Sequence, residues 1–295
     1  MFLVTNVTRI FVMIQEISKE VKVKARARGK ALYPVTMNLD KGNHRYSIAA
    51  GFCFLPRQYA KMSVAINEET FVMQEISCRA ILFDLDGVLV DSTVIVERHW
   101  RRWAAQHGLD SEFILANSHG RRTIDTLRTV ASHLHLDFEQ EAALLEKREV
   151  EDTEGLITVP GAAELLLALP DHSRAIVTSG SHMLATTRLQ AVGLPIPQTL
   201  VTAEEVYLGK PHPEGYLKAA TLLGLEPQDC LVIEDAPAGI QAAHAAGSRV
   251  IGVTTTFPVA DLDEADFVVP SLAGLRLAFP ENGTAPTPLL TLIMF

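Results

Sequence analysis

A stretch of roughly 90 residues separates two short apolar runs that otherwise belong to one series, and that gap limits the possible folds of the chain severely. The series is "RAILFDLDG" from Arg79, "SRAIVTSG" from Ser173, "QTLVTAEE" from Gln198, "DCLVIEDA" from Asp229, "SRVIGVTT" from Ser248 and "ADFVVPS" from Ala265. Each run is nearly continuous in apolar residues and ends in polar residues or Gly, as strands buried on both faces do. Helical stretches lie between them. "PGAAELLLAL" carries Pro160 at or near its first turn, and "APAGIQAAHAAG" closes on Gly247 as a C-terminal cap. The pattern predicts an α/β fold with a Rossmann-like parallel sheet core. A βαβ crossover needs only a dozen or so residues, so the gap after the first strand predicts an inserted domain. Its residues read as helical: Val96, Trp100, Trp103 and Ala104 share one face, as do Ile124, Leu127, Ala131 and Leu134. Both tryptophans are expected in the core of that insertion. His107, His133 and His135 have no ligand-like spacing and read as surface or core residues.

Charge marks a second boundary. Residues 1–77 carry a net charge of +5 and the remainder −14, for a total of −9. The acidic total argues against a nucleic-acid partner. No stretch approaches the roughly 20 apolar residues of a membrane span, and the start lacks the basic region of a secretory signal. Cys53, Cys78 and Cys230 form neither a disulfide framework nor a zinc site. A cytoplasmic monomer is expected. The basic run from Val21 to Ala27 alternates apolar and charged residues, and reads as a solvated tail in preference to a short strand with one wet face. "FVMIQEIS" at Phe11 nearly recurs as "FVMQEIS" at Phe71, which contains Met73. These features divide the chain into an N-terminal extension at 1–77, a tail or the product of an upstream start; a core at 78–91 and 159–279; the helical insertion at 92–158; and a C-terminal tail at 280–295.

In an open parallel sheet, ligands bind beyond the carboxyl ends of the strands, so the polar residues there are the candidates for chemistry. Asp84 and Asp86 follow the first strand, with Gly87 to allow a sharp turn. Thr178 and Ser179 follow the second, Lys210 comes after the third, and Glu234 and Asp235 follow the fourth. So many carboxylates at one edge call for a hard divalent cation with oxygen ligands, and Mg²⁺ is the economical choice. Carboxylates, a cation, a hydroxyl and a lysine suit phosphoryl transfer, with one carboxylate as nucleophile and the other as acid and base. No GxxxxGK[ST] loop is present, which disfavours an ordinary P-loop site.

"FDLDGVLVDS", "VTSG", "GKPHPEGYLKA" and "VIEDAPAGIQAAHAAG" resemble the four motifs of the haloacid dehalogenase-like phosphatases. The resemblance runs from about Cys78 to Ser271 and is closest to the sugar and polyol phosphatases, to which "HGRRTIDTL" and "VPGA" are also similar. It implies Asp84 as nucleophile and Asp86 as general acid and base. Thr178 and Ser179 would hold the phosphoryl group, and Lys210 would neutralise it. The Mg²⁺ would be bound by Asp84, the backbone carbonyl of Asp86, Asp235 and, directly or through water, Glu234. The insertion resembles the family's cap. Within it, His119, Arg121 and Arg122 in "SHGRRT" form the expected substrate loop, with Glu154 a further candidate. The implied function is Mg²⁺-dependent hydrolysis of a small phosphorylated sugar or polyol. A phosphomutase of the β-phosphoglucomutase type stays open, because it differs only in whether sugar or water accepts the phosphoryl group. A non-catalytic binding module is disfavoured by the presence of Asp84, Asp86 and Lys210 together. Asp86 also disfavours dehalogenation, which has no task for a second carboxylate.

Overall fold

The computed structural model describes residues 74–278 together with strands at Glu20–Ala25, Tyr33–Asn38, Ser47–Ala49, Ala65–Ile66, Glu69–Thr70 and Leu290–Met294. The chain divides into two units, Met1–Gln74 with Phe295, and Glu75–Met294. In the first, Glu20–Ala25 pairs antiparallel with Tyr33–Asn38, Val23 opposite Val35. The alternating basic run therefore forms a strand and not the expected solvated tail. Period-2 alternation suits a half-covered strand, and antiparallel pairing satisfies the backbone that a tail would leave to water. Met73, Cys53 and the near-repeat at Phe11 lie outside the described residues.

The second unit is built on six parallel strands, all at the expected places: β1 (Ala80–Phe83), β2 (Arg174–Val177), β3 (Leu200–Val201), β4 (Cys230–Glu234), β5 (Arg249–Val253) and β6 (Phe267–Val269). Their order across the sheet is β3-β2-β1-β4-β5-β6, the doubly wound arrangement. Strand order reverses between β1 and β4. There Phe83 lies opposite Ile233 on one side and Ile176 on the other, so the three strands end level. Side chains alternate between two cores. Ile81 and Phe83 pack with Ile176, Leu231, Leu165 and Leu189 on one face. Ala80 and Leu82 pack with Val177, Val232, Tyr216 and Ile240 on the other.

Four helices fill the long gap: α1 (Thr93–His107), α2 (Ser111–Ser118), α3 (Thr123–Val130) and α4 (Phe138–Glu151). They enclose their own core of Trp100, Trp103, Leu127 and Leu145. Trp103 Nε1 donates to Glu141 at 2.8 Å, so the tryptophans serve packing as expected. Helix α3 ends at Val130, short of the apolar pattern, which continues to Leu134 through a turn. The insertion leaves and rejoins the core through two strands, Val90–Asp91 and Ile157–Thr158, paired antiparallel.

Core helices follow: α5 (Ala162–Ala168), α6 (His182–Ala191), α7 (Glu214–Leu222) and α8 (Pro237–Ala246). Helix α5 starts two residues after Pro160, with Gly161 as its N-cap. Gly247, at φ +93°, caps α8 as its position foretold. A three-stranded sheet, Leu275–Ala278, Leu290–Met294 and Gln74–Cys78, lies outside the parallel sheet. Ordered pairing thus begins slightly before Cys78 and continues into the segment expected to be a tail. Among the described residues no helix is long and apolar enough to cross a membrane.

Candidate active site

The level ends of β1, β2 and β4 bring the expected residues together. The backbone N–H of Asp84 donates to Ile233 O at 2.9 Å, which sets Asp84 beside Glu234 and Asp235. All three carboxyls are buried, with one oxygen of each lying within 4.8 Å of the others. Gly87, at φ +79°, is required by this arrangement: a Cβ there would overlap the Asp235 carboxylate. Gly239 serves Glu234 in the same way.

Lys210 is the buried cation of this cluster. Its Nζ donates to Asp84 Oδ1 at 2.5 Å, Glu234 Oε1 at 2.6 Å and Val177 O at 3.3 Å, and lies 5.3 Å from the centre of the Tyr216 ring. Tyr216, to which the sequence reading assigned no role, donates its hydroxyl to Glu234 Oε1 at 2.7 Å. Glu234 Oε2 accepts from the backbone N–H groups of Asp235 and Ala236 at 3.0 and 3.2 Å. Four donors on one carboxylate leave Glu234 little capacity for a direct metal bond, and its evident task is to anchor Lys210.

One ammonium cannot balance three carboxylates. Burial pushes Asp84 up to about 7, with Glu234 and Asp86 adding to the effect and Lys210 opposing it. Asp235 is also raised well above the usual carboxylate range, again first by burial. Lys210 is held above the ordinary lysine range by Asp84 and Glu234 in spite of burial. Asp235 Oδ1 is buried without a hydrogen-bond partner. A buried carboxyl oxygen without a partner beside Asp84 is the donor a hard cation takes, so the residues fit Mg²⁺.

Asp86 stands apart from the acidic cluster. Its Oδ1 accepts from Ser92 Oγ at 2.7 Å and its Oδ2 pairs with Arg188 Nη1 at 2.7 Å. Neither partner was expected. Arg188 could have been found: it is the one charged residue on the stripe Leu184, Ala185, Arg188 and Leu189 that α6 buries. Thr178 is buried at the end of β2, its Oγ1 accepting from the Gly180 N–H at 3.0 Å.

The 119–122 loop of the insertion meets the core beside Thr178 and Ser179. Ser179 Oγ donates to Gly120 O at 2.9 Å, so this hydroxyl is committed to the cap. Arg122 is bidentate to Asp125, at 2.6 and 3.1 Å, and donates to Val206 O and Tyr207 O at 3.4 and 3.2 Å. Arg122 lines the pocket with Thr178, Ser179, Lys210 and Tyr216, while its Nε and Nη2 are held by Asp125 within the cap and its Nη1 joins cap to core. Arg121 is half-buried in the same loop and makes no ion pair among the described residues. His119 stacks edge-on to Phe257, and burial pushes its imidazole below the ordinary range. Glu154 is exposed, and its backbone carbonyl accepts from Arg98 at 3.4 Å.

A covered acidic site at the switch point of a parallel sheet, bridged by a buried lysine, places the protein among the capped α/β hydrolases that work through carboxylates. The chain belongs to the haloacid dehalogenase-like hydrolase family, whose model matches residues 78–247. It is 46% identical over 209 residues to hexitol phosphatase A of Escherichia coli, covering 70% of this chain and 97% of that protein. It is 37% identical over 239 residues to 2-deoxyglucose-6-phosphate phosphatase 1 of Saccharomyces cerevisiae, covering 72% of this chain and 95% of that one. Among solved structures, a hydrolase from Pseudomonas syringae superposes with a TM-score of 0.59 at 26% identity, over 66% of this chain and 94% of that chain.

Proposed function

We propose that this enzyme hydrolyses the phosphate monoester of a small sugar or polyol through an aspartyl-phosphate on Asp84, with Mg²⁺ as cofactor. The single observation that carries the reading is Lys210 bridging Asp84 and Glu234 within a buried carboxylate cluster. The two relatives named above, a hexitol phosphatase and a 2-deoxyglucose-6-phosphate phosphatase, support the substrate class. Asp84, the Asp86 carbonyl and Asp235 would hold the cation, with Glu234 acting through water. Bound there, Mg²⁺ supplies positive charge against the phosphoryl oxygens and keeps Asp84 ionised.

The residues of the chain perform the rest. An Asp84 oxygen forms a bond to phosphorus as the bond to the sugar oxygen breaks, and Asp86 gives its proton to that leaving oxygen. Asp86, now a carboxylate, takes a proton from a water molecule whose oxygen attacks the phosphorus. The Asp84–phosphate bond breaks, and inorganic phosphate leaves. Thr178 donates to a phosphoryl oxygen, and the charge of Lys210 offsets that of the phosphoryl group. In the 119–122 loop, Arg121 is the cation without an ion pair among the described residues and would meet the remainder of the substrate, with His119 in the same loop. The buried, unpaired thiols of Cys78 and Cys230, both pushed up to about 12 by burial, suit a reducing cytoplasm.

The test is release of inorganic phosphate from a panel of hexitol, deoxyhexose and glycerol phosphates with Mg²⁺. Asp84→Asn, nearly isosteric, abolishes turnover and leaves the fold intact. Near-normal release by that variant refutes the covalent mechanism. Interconversion of sugar phosphate isomers without phosphate release establishes a mutase.

A further inference from the structure

Arg188 connects the two parts of the enzyme through one buried guanidinium. Nη1 pairs with Asp86 Oδ2 at 2.7 Å, and Nη2 pairs with Glu149, on cap helix α4. Both Arg188 and Glu149 are buried. The third donor, Nε, is buried without a partner, so the two carboxylates and not full satisfaction of the guanidinium set its orientation. The other oxygen of Asp86 receives Ser92 Oγ, from the residue that caps the first helix of the insertion. Asp86 is thus gripped at both oxygens, and each grip leads into the cap. A carboxylate has about four lone-pair sites, so each oxygen keeps one for the transferring proton. A rigid planar fork suits this bridge, because a lysine ammonium lacks its fixed two-armed geometry.

We propose that Arg188 is a positioning residue for Asp86, and that by holding Glu149 with the same group it makes the aim of the acid-base carboxylate depend on how the cap is seated. The assignment rests on the reading of Asp86 given above. Proton transfer to the leaving oxygen then occurs efficiently only beneath a seated cap.

A comparison of leaving groups separates positioning from framework. kcat/KM covers the steps up to departure of the leaving group, and p-nitrophenolate departs without a proton whereas a sugar alkoxide does not. The measurement is kcat/KM on the best sugar phosphate of the panel and on p-nitrophenyl phosphate, for Asp86→Asn, Arg188→Lys, Glu149→Gln and the double variant. Asp86→Asn sets the full skew, a loss of roughly 10² to 10⁴-fold confined to the sugar phosphate. Arg188→Lys should lose about 10- to 100-fold on the sugar phosphate and less than about threefold on p-nitrophenyl phosphate. Glu149→Gln should show the same skew at smaller size, and the double variant should be no worse than Arg188→Lys alone. Equal losses on both substrates, or none, for Arg188→Lys overturn the proposal while a skew in Asp86→Asn leaves the mechanism standing. Absence of skew in Asp86→Asn removes the acid-base reading and the proposal with it. If Arg188→Lys does not fold, Glu149→Gln decides: a skew supports the linkage and its absence overturns it.

Discussion

Replacing Tyr216 with Phe removes one oxygen and little else, which makes it a clean probe of how dry the site is. The hydroxyl donates to Glu234 Oε1 at 2.7 Å, the oxygen that also takes Lys210 Nζ at 2.6 Å. The ring itself is fully buried, so Phe keeps its packing. The loss is one hydrogen bond to a charged acceptor, about 1.5 to 3 kcal/mol. It stays below the roughly 3 to 5 kcal/mol of a broken buried ion pair, because Glu234 retains Lys210 and two backbone N–H donors. For a unit of this size the loss lowers the thermal midpoint by roughly 3 to 12 °C. Urea titration followed by circular dichroism gives the free energy directly. Trp100 and Trp103 both lie in the cap, so coincident fluorescence and dichroism transitions test whether cap and core unfold together. A change below about 0.5 kcal/mol would mean that water replaces the phenol without cost, and the argument from burial would fail.

Three further outcomes are expected. Since Asp84 is raised to about 7 by burial from 3.8, the cation-free protein holds an extra proton and loses stability as pH rises between those values. Mg²⁺ must displace that proton, so its gain in thermal midpoint should be larger at pH 8 than at pH 6; an equal or reversed gain in scanning fluorimetry counts against the cluster as the metal site. Arg122→Ala should lower kcat/KM by roughly tenfold on sugar phosphates and acetyl phosphate alike, because its guanidinium joins cap to core. A change in substrate ranking would restore it as a substrate contact. A chain beginning at Met73 retains the strand Gln74–Cys78 and should keep kcat/KM within about twofold; an insoluble or inactive product would show that the first unit supports the second.

The core was legible because its chemistry and its geometry share a local cause. Asp84 and Thr178 each follow a buried strand in sequence and Glu234 ends one, so finding the strand finds the residue. Tyr216, Arg188 and Glu149 lie inside helices, and their partners are set by packing across the fold. Only the charge of Arg188 on an apolar stripe hinted at such a role. Ser179 and Arg122 show the limit from the other side. Their types suited phosphate, but Ser179 gives its hydroxyl to Gly120 O, and Arg122 divides its donors between Asp125 and the carbonyls of Val206 and Tyr207, contacts that no local pattern reveals.

The two-strand stem Val90–Asp91 and Ile157–Thr158 has a consequence for how such a chain is assembled and how it diversifies. Some 65 residues depart and return at adjacent points, so β1 and the parallel β2 remain joined through helix α5 by an ordinary crossover. Closing a free loop of that length costs about 4 kcal/mol in chain entropy, and the stem and the insertion's own packed core offset that cost within the insertion itself. The enclosed helices are therefore topologically a cassette. Its surface can change to admit a new substrate without altering the register of any core strand, provided the few residues that touch the catalytic groups, Ser92 and Glu149 among them, are kept.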